Sequence, residues 1–299
     1  MIECFDDRLK ELVDLDAQVE QVVSGFRFTE GPLWNPKDKS FLFCTPRAHE
    51  IQRWSDKDGL SVFREASGSA AGLTWDPQGR LLATEPRVSR GGSGRRVSRT
   101  NADGTIEAIA THYQGAQLSS PNDLVCLANG DIIFTDPDGG LNHADGTKTP
   151  RETAFNGVYR LVGAAGEPQL VSGDVEGCNG VVVRDGDTEI LIADTRGHKV
   201  WSSKKDGGPV TVFADMTRGD VVGHPDGMKL DSQGNLYAGG GPEGVWVYAP
   251  DGALLGFIGF PERAINVAWG DDDFQTLYCT AMTSLYRIRM KVKGQKINP

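Results

Sequence analysis

The chain has 299 residues, with 31 Lys and Arg against 41 Asp and Glu and a net charge of −10. Its basic residues are scattered without an aromatic–basic stripe, which argues against nucleic acid or an anionic membrane surface as a partner. No apolar run reaches the ~18 residues needed to span a bilayer, and the first residues are acidic rather than basic and then apolar. The five cysteines carry no CxxC spacing, which fits free thiols in a reducing, cytoplasmic setting.

Residues 4–16 read as a short amphipathic helix with Phe5, Leu9, Leu12 and Val13 on one face. Residues 1–18 are therefore expected to form an N-terminal helical extension lying over one end of a domain that spans 19–299. From there a turn followed by an apolar strand recurs along the chain. The turns are Asn35–Asp38, Asp76–Gly79, Ala128–Gly130, Asp185–Asp187, Asp231–Gly234 and Asp271–Asp273. A second series of strands lies between them: Ile51–Trp54, Arg96–Arg99, Val158–Leu161, Val200–Ser202, Val245–Tyr248 and Leu285–Ile288.

The spacing in both series is roughly 40–57 residues, a period that points to an all-β fold, a β-propeller. Both series count six members, so a six-bladed propeller is expected. Alternating outer strands such as Leu60–Phe63 and Val210–Phe213 follow most members, but the sixth blade lacks one. The segment Val19–Val23 has no blade of its own, so this N-terminal strand is expected to close the last blade and remove an exposed edge. The basic stretch Arg87–Arg99 is rich in Gly and Ser and reads as a solvated loop.

Propellers place functional groups where inner strands converge on the central channel. Four polar residues stand at the same place in their blades, at the start of an inner strand several residues before the turn: Glu30, Asn122, Asn179 and Asp226. Asn-Gly, Asn-Asp and Asp-Gly are individually ordinary turn dipeptides. Together the four offer oxygen donors and a charge of about −2, which favours a hard divalent cation between them. Ca²⁺ or Mg²⁺ is the natural occupant of such a set, and all-oxygen donors also tolerate Zn²⁺ or Mn²⁺.

The stretches Thr29–Trp34, Pro121–Asp123, Phe134–Pro137, Val158–Arg160 and Pro225–Met228 with Gly234–Tyr237 run across nearly the whole chain. In that order they resemble the senescence marker protein/gluconolactonase/regucalcin family of six-bladed propeller hydrolases. The resemblance implies a divalent metal, usually calcium, held at the channel mouth by Glu30, Asn122, Asn179 and Asp226. It also implies that Asp226 accepts and donates the proton. The animal members carry an arginine two residues before the first asparagine, where this chain has Ser120, and a proline before Asn-Gly, where it has Cys178. The plainer bacterial gluconolactonases also lack that arginine, so the chain resembles a different subgroup.

A cation with protein ligands on one side can polarise an ester carbonyl, with a neighbouring carboxylate as base. Asp226 is the candidate base and His224 a weaker one. No Gly-x-Ser-x-Gly elbow occurs, and the glycine run Gly91–Gly94 lacks the lysine of a phosphate loop. Metal-assisted hydrolysis is therefore expected, and the resemblance implies a small-molecule lactone, such as gluconolactone, as the substrate. The alternatives are a broader esterase or organophosphate hydrolase of the diisopropyl fluorophosphatase type, or a non-catalytic calcium-binding propeller. Asn122, Asp136, Glu85, His143, His198 and His224, with Asn142, are candidates to contact the substrate. Asp136 and Asp194 could equally cap turns. A monomer or weak homo-oligomer is expected.

Overall fold

The computed structural model describes residues 1–86, 94–143, 145–184, 186–242 and 244–296. Residues 87–93, which hold most of the basic loop and of the glycine run, lie outside the described residues, as does Asp185 of the fourth turn.

Where the turns are described, their chemistry accounts for the repeat. The Asp76 carboxylate accepts the amides of Gln78 at 3.0 Å and Arg80 at 2.8 Å. Asp231 does the same for Gln233 and Asn235, both at 2.9 Å. A side chain that mimics the backbone in this way closes a tight turn and sends the chain back antiparallel. Repeated along the sequence, it builds six antiparallel sheets arranged as blades, the six-bladed β-propeller expected.

Blade 1 runs Glu30–Asn35, Ser40–Thr45, Glu50–Ser55, Gly59–Arg64 from the axis outwards. Blades 2, 3 and 4 have their inner strands at Leu73–Trp75, Leu124–Cys126 and Cys178–Arg184. Blade 5 starts at Met228–Leu230 and blade 6 at Ala264–Gly270. The outer strand of blade 6 is Glu20–Ser24, paired antiparallel with Ser284–Arg289. The N-terminal strand therefore does close the ring. Facing sheets bury apolar side chains between them, as where Phe41 of blade 1 stacks on Tyr278 of blade 6 with centroids 4.0 Å apart.

The N-terminal segment differs from the amphipathic helix expected over 4–16. Ile2–Cys4 is a strand that pairs with Gly256–Ile258 and gives blade 5 a fifth strand. The helix is a single turn, Leu9–Leu12, and the chain turns extended at Val13. A helix this short is marginal alone, so packing decides its extent. Leu9, Leu12 and Val13 are buried in the core between blades 5 and 6, while Phe5 lies edge-on to Phe257 at 4.9 Å. Backbone pairing along blade 5 satisfies the donors that a helix through Cys4 would have used.

All five thiols are free, four of them buried. Among the described residues no helix is long and apolar enough to cross a membrane. The Glu85 carboxylate is fully buried between Arg64 and Arg96, the latter at 2.8 Å.

Two measurements check these packing assignments. Leu9→Ala is expected to lower the free energy of unfolding by about 2–5 kcal/mol, read as a fall in the urea midpoint at unchanged slope. Glu85→Ala leaves a buried Arg64 without its counter-charge and is expected to cost about 3–5 kcal/mol, read by the same titration.

Candidate active site at the channel mouth

The inner strands begin at one end of the channel, and there they touch. A Cβ on Gly31 would collide with the carbonyl of Ala71 in the next blade, and one on Gly180 with the carbonyl of Asp226. A Cβ on Gly227 would overlap the side chain of Asn266. Glycine at these places lets neighbouring strand starts approach closely enough to bring the preceding residues to one ring.

Glu30, Asn122, Asn179 and Asp226 consequently line a single cavity of about 670 Å³ at this end of the channel. Blade 2 contributes Ala71 to the same lining, a residue with no side-chain donor.

Hydrogen bonds fix each ring residue. Asn122 donates its backbone N–H to Thr135 O at 2.9 Å, and its own carbonyl accepts Thr84 Oγ1 at 2.6 Å. One blade on, Thr135 Oγ1 donates to Asn179 O at 2.7 Å, and Asn179 Nδ2 donates to Thr195 Oγ1 at 3.1 Å. The backbone of Asp226 is held by Gly239 O and by the N–H of Gly180, each at 3.2 Å. Glu30 Oε2 accepts the N–H of Gly31 at 2.6 Å and Nδ2 of Asn266 at 3.0 Å.

The electrostatics are strained. Burial pushes the Glu30 carboxyl well above its usual range, and the charge of Asp226 adds to the shift, with Asn266 and the Gly31 amide opposing it. Burial likewise pushes Asp226 up to about 7, against the opposing field of Arg263; Asp123 raises it further and a hydrogen bond from Asn179 lowers it. Asp123, the residue after Asn122, is a third buried carboxylate raised by desolvation, with Lys229 opposing. Its oxygens accept the amides of Leu124 at 2.9 Å and Val181 at 3.2 Å. Buried acidic groups held together in this way, with amide oxygens beside them, suit a bound divalent cation. Among the described residues no three His, Cys, Asp or Glu side chains form a metal-binding group, so any such centre needs the two asparagines as well.

The remaining candidates separate clearly. His143 and Asn142 line the cavity. Asp136 is fully buried and accepts the amides of Ser119 at 2.8 Å and Ser120 at 2.7 Å. It shapes the loop leading to Asn122 and does not face the cavity. Glu85 is enclosed by its two arginines and is likewise absent from the lining.

His198 and His224 pack edge to face at 4.6 Å outside the cavity lining. Cys178 is buried with its thiol directed at Gly157 O, 3.6 Å away. Sequence reasoning missed the wall from blades 1 and 2, where Arg47, His49 and Ser69 line the cavity.

Comparison with known proteins agrees with this architecture. The chain is 29% identical to the gluconolactonase of Zymomonas mobilis over 97% of its own length and 86% of that protein. It is 26% identical to the pentonolactonase XacC of Haloferax volcanii, covering 85% of this chain and 81% of that one. The solved structure of XC5397 from Xanthomonas campestris, described as a gluconolactonase, superposes with a TM-score of 0.85 at 26% identity, covering 97% and 94% of the two chains. The model of the SMP-30/Gluconolactonase/LRE-like region matches residues 28–283, and the chain belongs to that family.

Proposed function

We propose that this protein hydrolyses a lactone, with a sugar lactone such as gluconolactone as the substrate class, at the floor of the channel-mouth cavity. The observation that carries the reading is the convergence of Glu30, Asn122, Asn179 and Asp226 on one cavity in a chain of this family. The lactonase relatives support the substrate class. The cavity volume lies within the range usual for small-molecule sites.

Those four side chains are the proposed ligands of a hard divalent cation, because every donor is oxygen, and Ca²⁺ is the proposed ion because it is usual in the family the chain resembles. When bound, the ion would supply Lewis-acid polarisation of the ester carbonyl.

Asp226 takes a proton from the attacking water as the water oxygen bonds to the carbonyl carbon. When the ring C–O bond breaks, Asp226 returns that proton to the leaving alkoxide, and the product is the open hydroxy acid. Asn266 holds the Glu30 carboxylate in place through its 3.0 Å hydrogen bond. The walls of the cavity surround the substrate and restrict its orientation.

The test is pH-stat hydrolysis of gluconolactone with chelated protein, followed by separate addition of Ca²⁺, Mg²⁺, Zn²⁺ and Mn²⁺. Activity is expected to vanish on chelation and to return with an added ion. Asp226→Asn should lower kcat by at least about 100-fold, and chelation should lower the melting temperature of the wild type, since the ion binds the native state. Undiminished turnover in the chelated protein would contradict the reading.

A further inference from the structure

His49 and Ser69 share the cavity wall, and both are non-glycine residues in the left-handed region, each at φ 59°. Their side chains meet, with Ser69 Oγ 3.1 Å from His49 Nδ1. Such backbone conformations cost on the order of 1 kcal/mol and concentrate at functional sites. Histidine is one of the few side chains enriched in that region, so turn geometry alone could account for it.

The chain contains its own control. The turn Thr45–Ile51 of blade 1 corresponds to Asp194–Val200 of blade 4, with Arg47 matching Arg196 and His49 matching His198. His198 is also left-handed, at φ 57°. Both histidine carbonyls accept one backbone amide at 2.8 Å, from Ser67 in blade 1 and Met216 in blade 4. The left-handed histidine is thus a feature of this turn in both blades, and it ties the turn to the loop after the outer strand.

The side chains then diverge. His198 gives Nδ1 to the carbonyl of Gly223 at 2.9 Å and packs against His224, outside the cavity. His49 instead has its Nδ1 held by a hydroxyl and lines the cavity. Its other ring nitrogen has no hydrogen-bond partner among the described residues. Whichever tautomer Ser69 selects, that nitrogen can pair with a hydroxyl group, which both donates and accepts.

We propose that His49 is a specificity-determining residue that hydrogen-bonds a ring hydroxyl of the lactone through Nε2, with Ser69 fixing the imidazole. This rests on the lactone-hydrolysis reading and adds to it a preference for polyhydroxylated lactones over unsubstituted ones.

The test compares kcat/KM on glucono-1,5-lactone and on unsubstituted δ-valerolactone for the metal-loaded wild type and for His49→Asn, Ser69→Ala and His198→Asn. Asparagine tolerates the left-handed backbone, so His49→Asn removes the imidazole and keeps the turn. His49→Asn is expected to lower kcat/KM for gluconolactone at least tenfold, mainly through KM, with less than a twofold change for valerolactone. Ser69→Ala is expected to move the ratio of the two substrates in the same direction by about threefold. It decides the question alone if His49→Asn does not fold.

His198→Asn is expected to shift the melting temperature and leave that ratio within twofold. Equal losses on both lactones, an unchanged ratio in His49→Asn, or the same ratio change in His198→Asn would overturn the proposal while lactone hydrolysis stood. A wild type inactive on both lactones would overturn the lactone reading, and this inference with it.

Discussion

The constraint on which the structure depends is the close approach of strand starts around the channel axis. Gly31 against Ala71, Gly180 against Asp226 and Gly227 against Asn266 are contacts between neighbouring blades that admit no side chain at the glycine. They set the radius of the ring at its mouth, and therefore how near the residues just before the glycines come to one another. Threonines at or just past the ends of the second strands add to the ring, since Thr84, Thr135 and Thr195 each donate to a carbonyl of the following blade. The closing strand Glu20–Ser24 matters for the same reason. Blade 6, which it completes, supplies the Asn266 that fixes Glu30.

The price of that arrangement is electrostatic. Glu30, Asp123 and Asp226 are buried near one another, and desolvation is the leading cause of the upward shift in each. A fold that only needed a packed channel could fill these places with apolar residues, as Ile265 does in blade 6. Retaining ionisable groups there is destabilising unless something cationic offsets them. The proposed divalent ion would supply that offset.

The architecture was legible in the sequence because the repeat is written in turn chemistry. Asp76 and Asp231 close their turns through their own carboxylates, so the motif and the structure are one physical fact. The closing strand was legible as an unpaired segment at one end matching a missing strand at the other. The first residues were read less well, since Ile2–Cys4 pairs with blade 5 through backbone atoms that leave no signature in side-chain periodicity.

The direction in which a side chain faces was the least legible property. Asp136 and Glu85 have the right chemistry and sit at the ends of second strands, yet one accepts backbone amides and the other is enclosed by arginines. The sequence makes His198 a candidate substrate contact, whereas its counterpart His49, in the matching turn of blade 1, is the one that lines the cavity. The internal match between Thr45–Ile51 and Asp194–Val200 could have identified His49, though only the structure separates the two faces.

The most direct test of the central claim is anomalous diffraction from crystals grown with Mn²⁺, whose scattering locates the ion without reference to activity. A peak is expected within coordination distance of Glu30, Asn122, Asn179 and Asp226. A fully occupied ion bound elsewhere, with none among these four side chains, would contradict it.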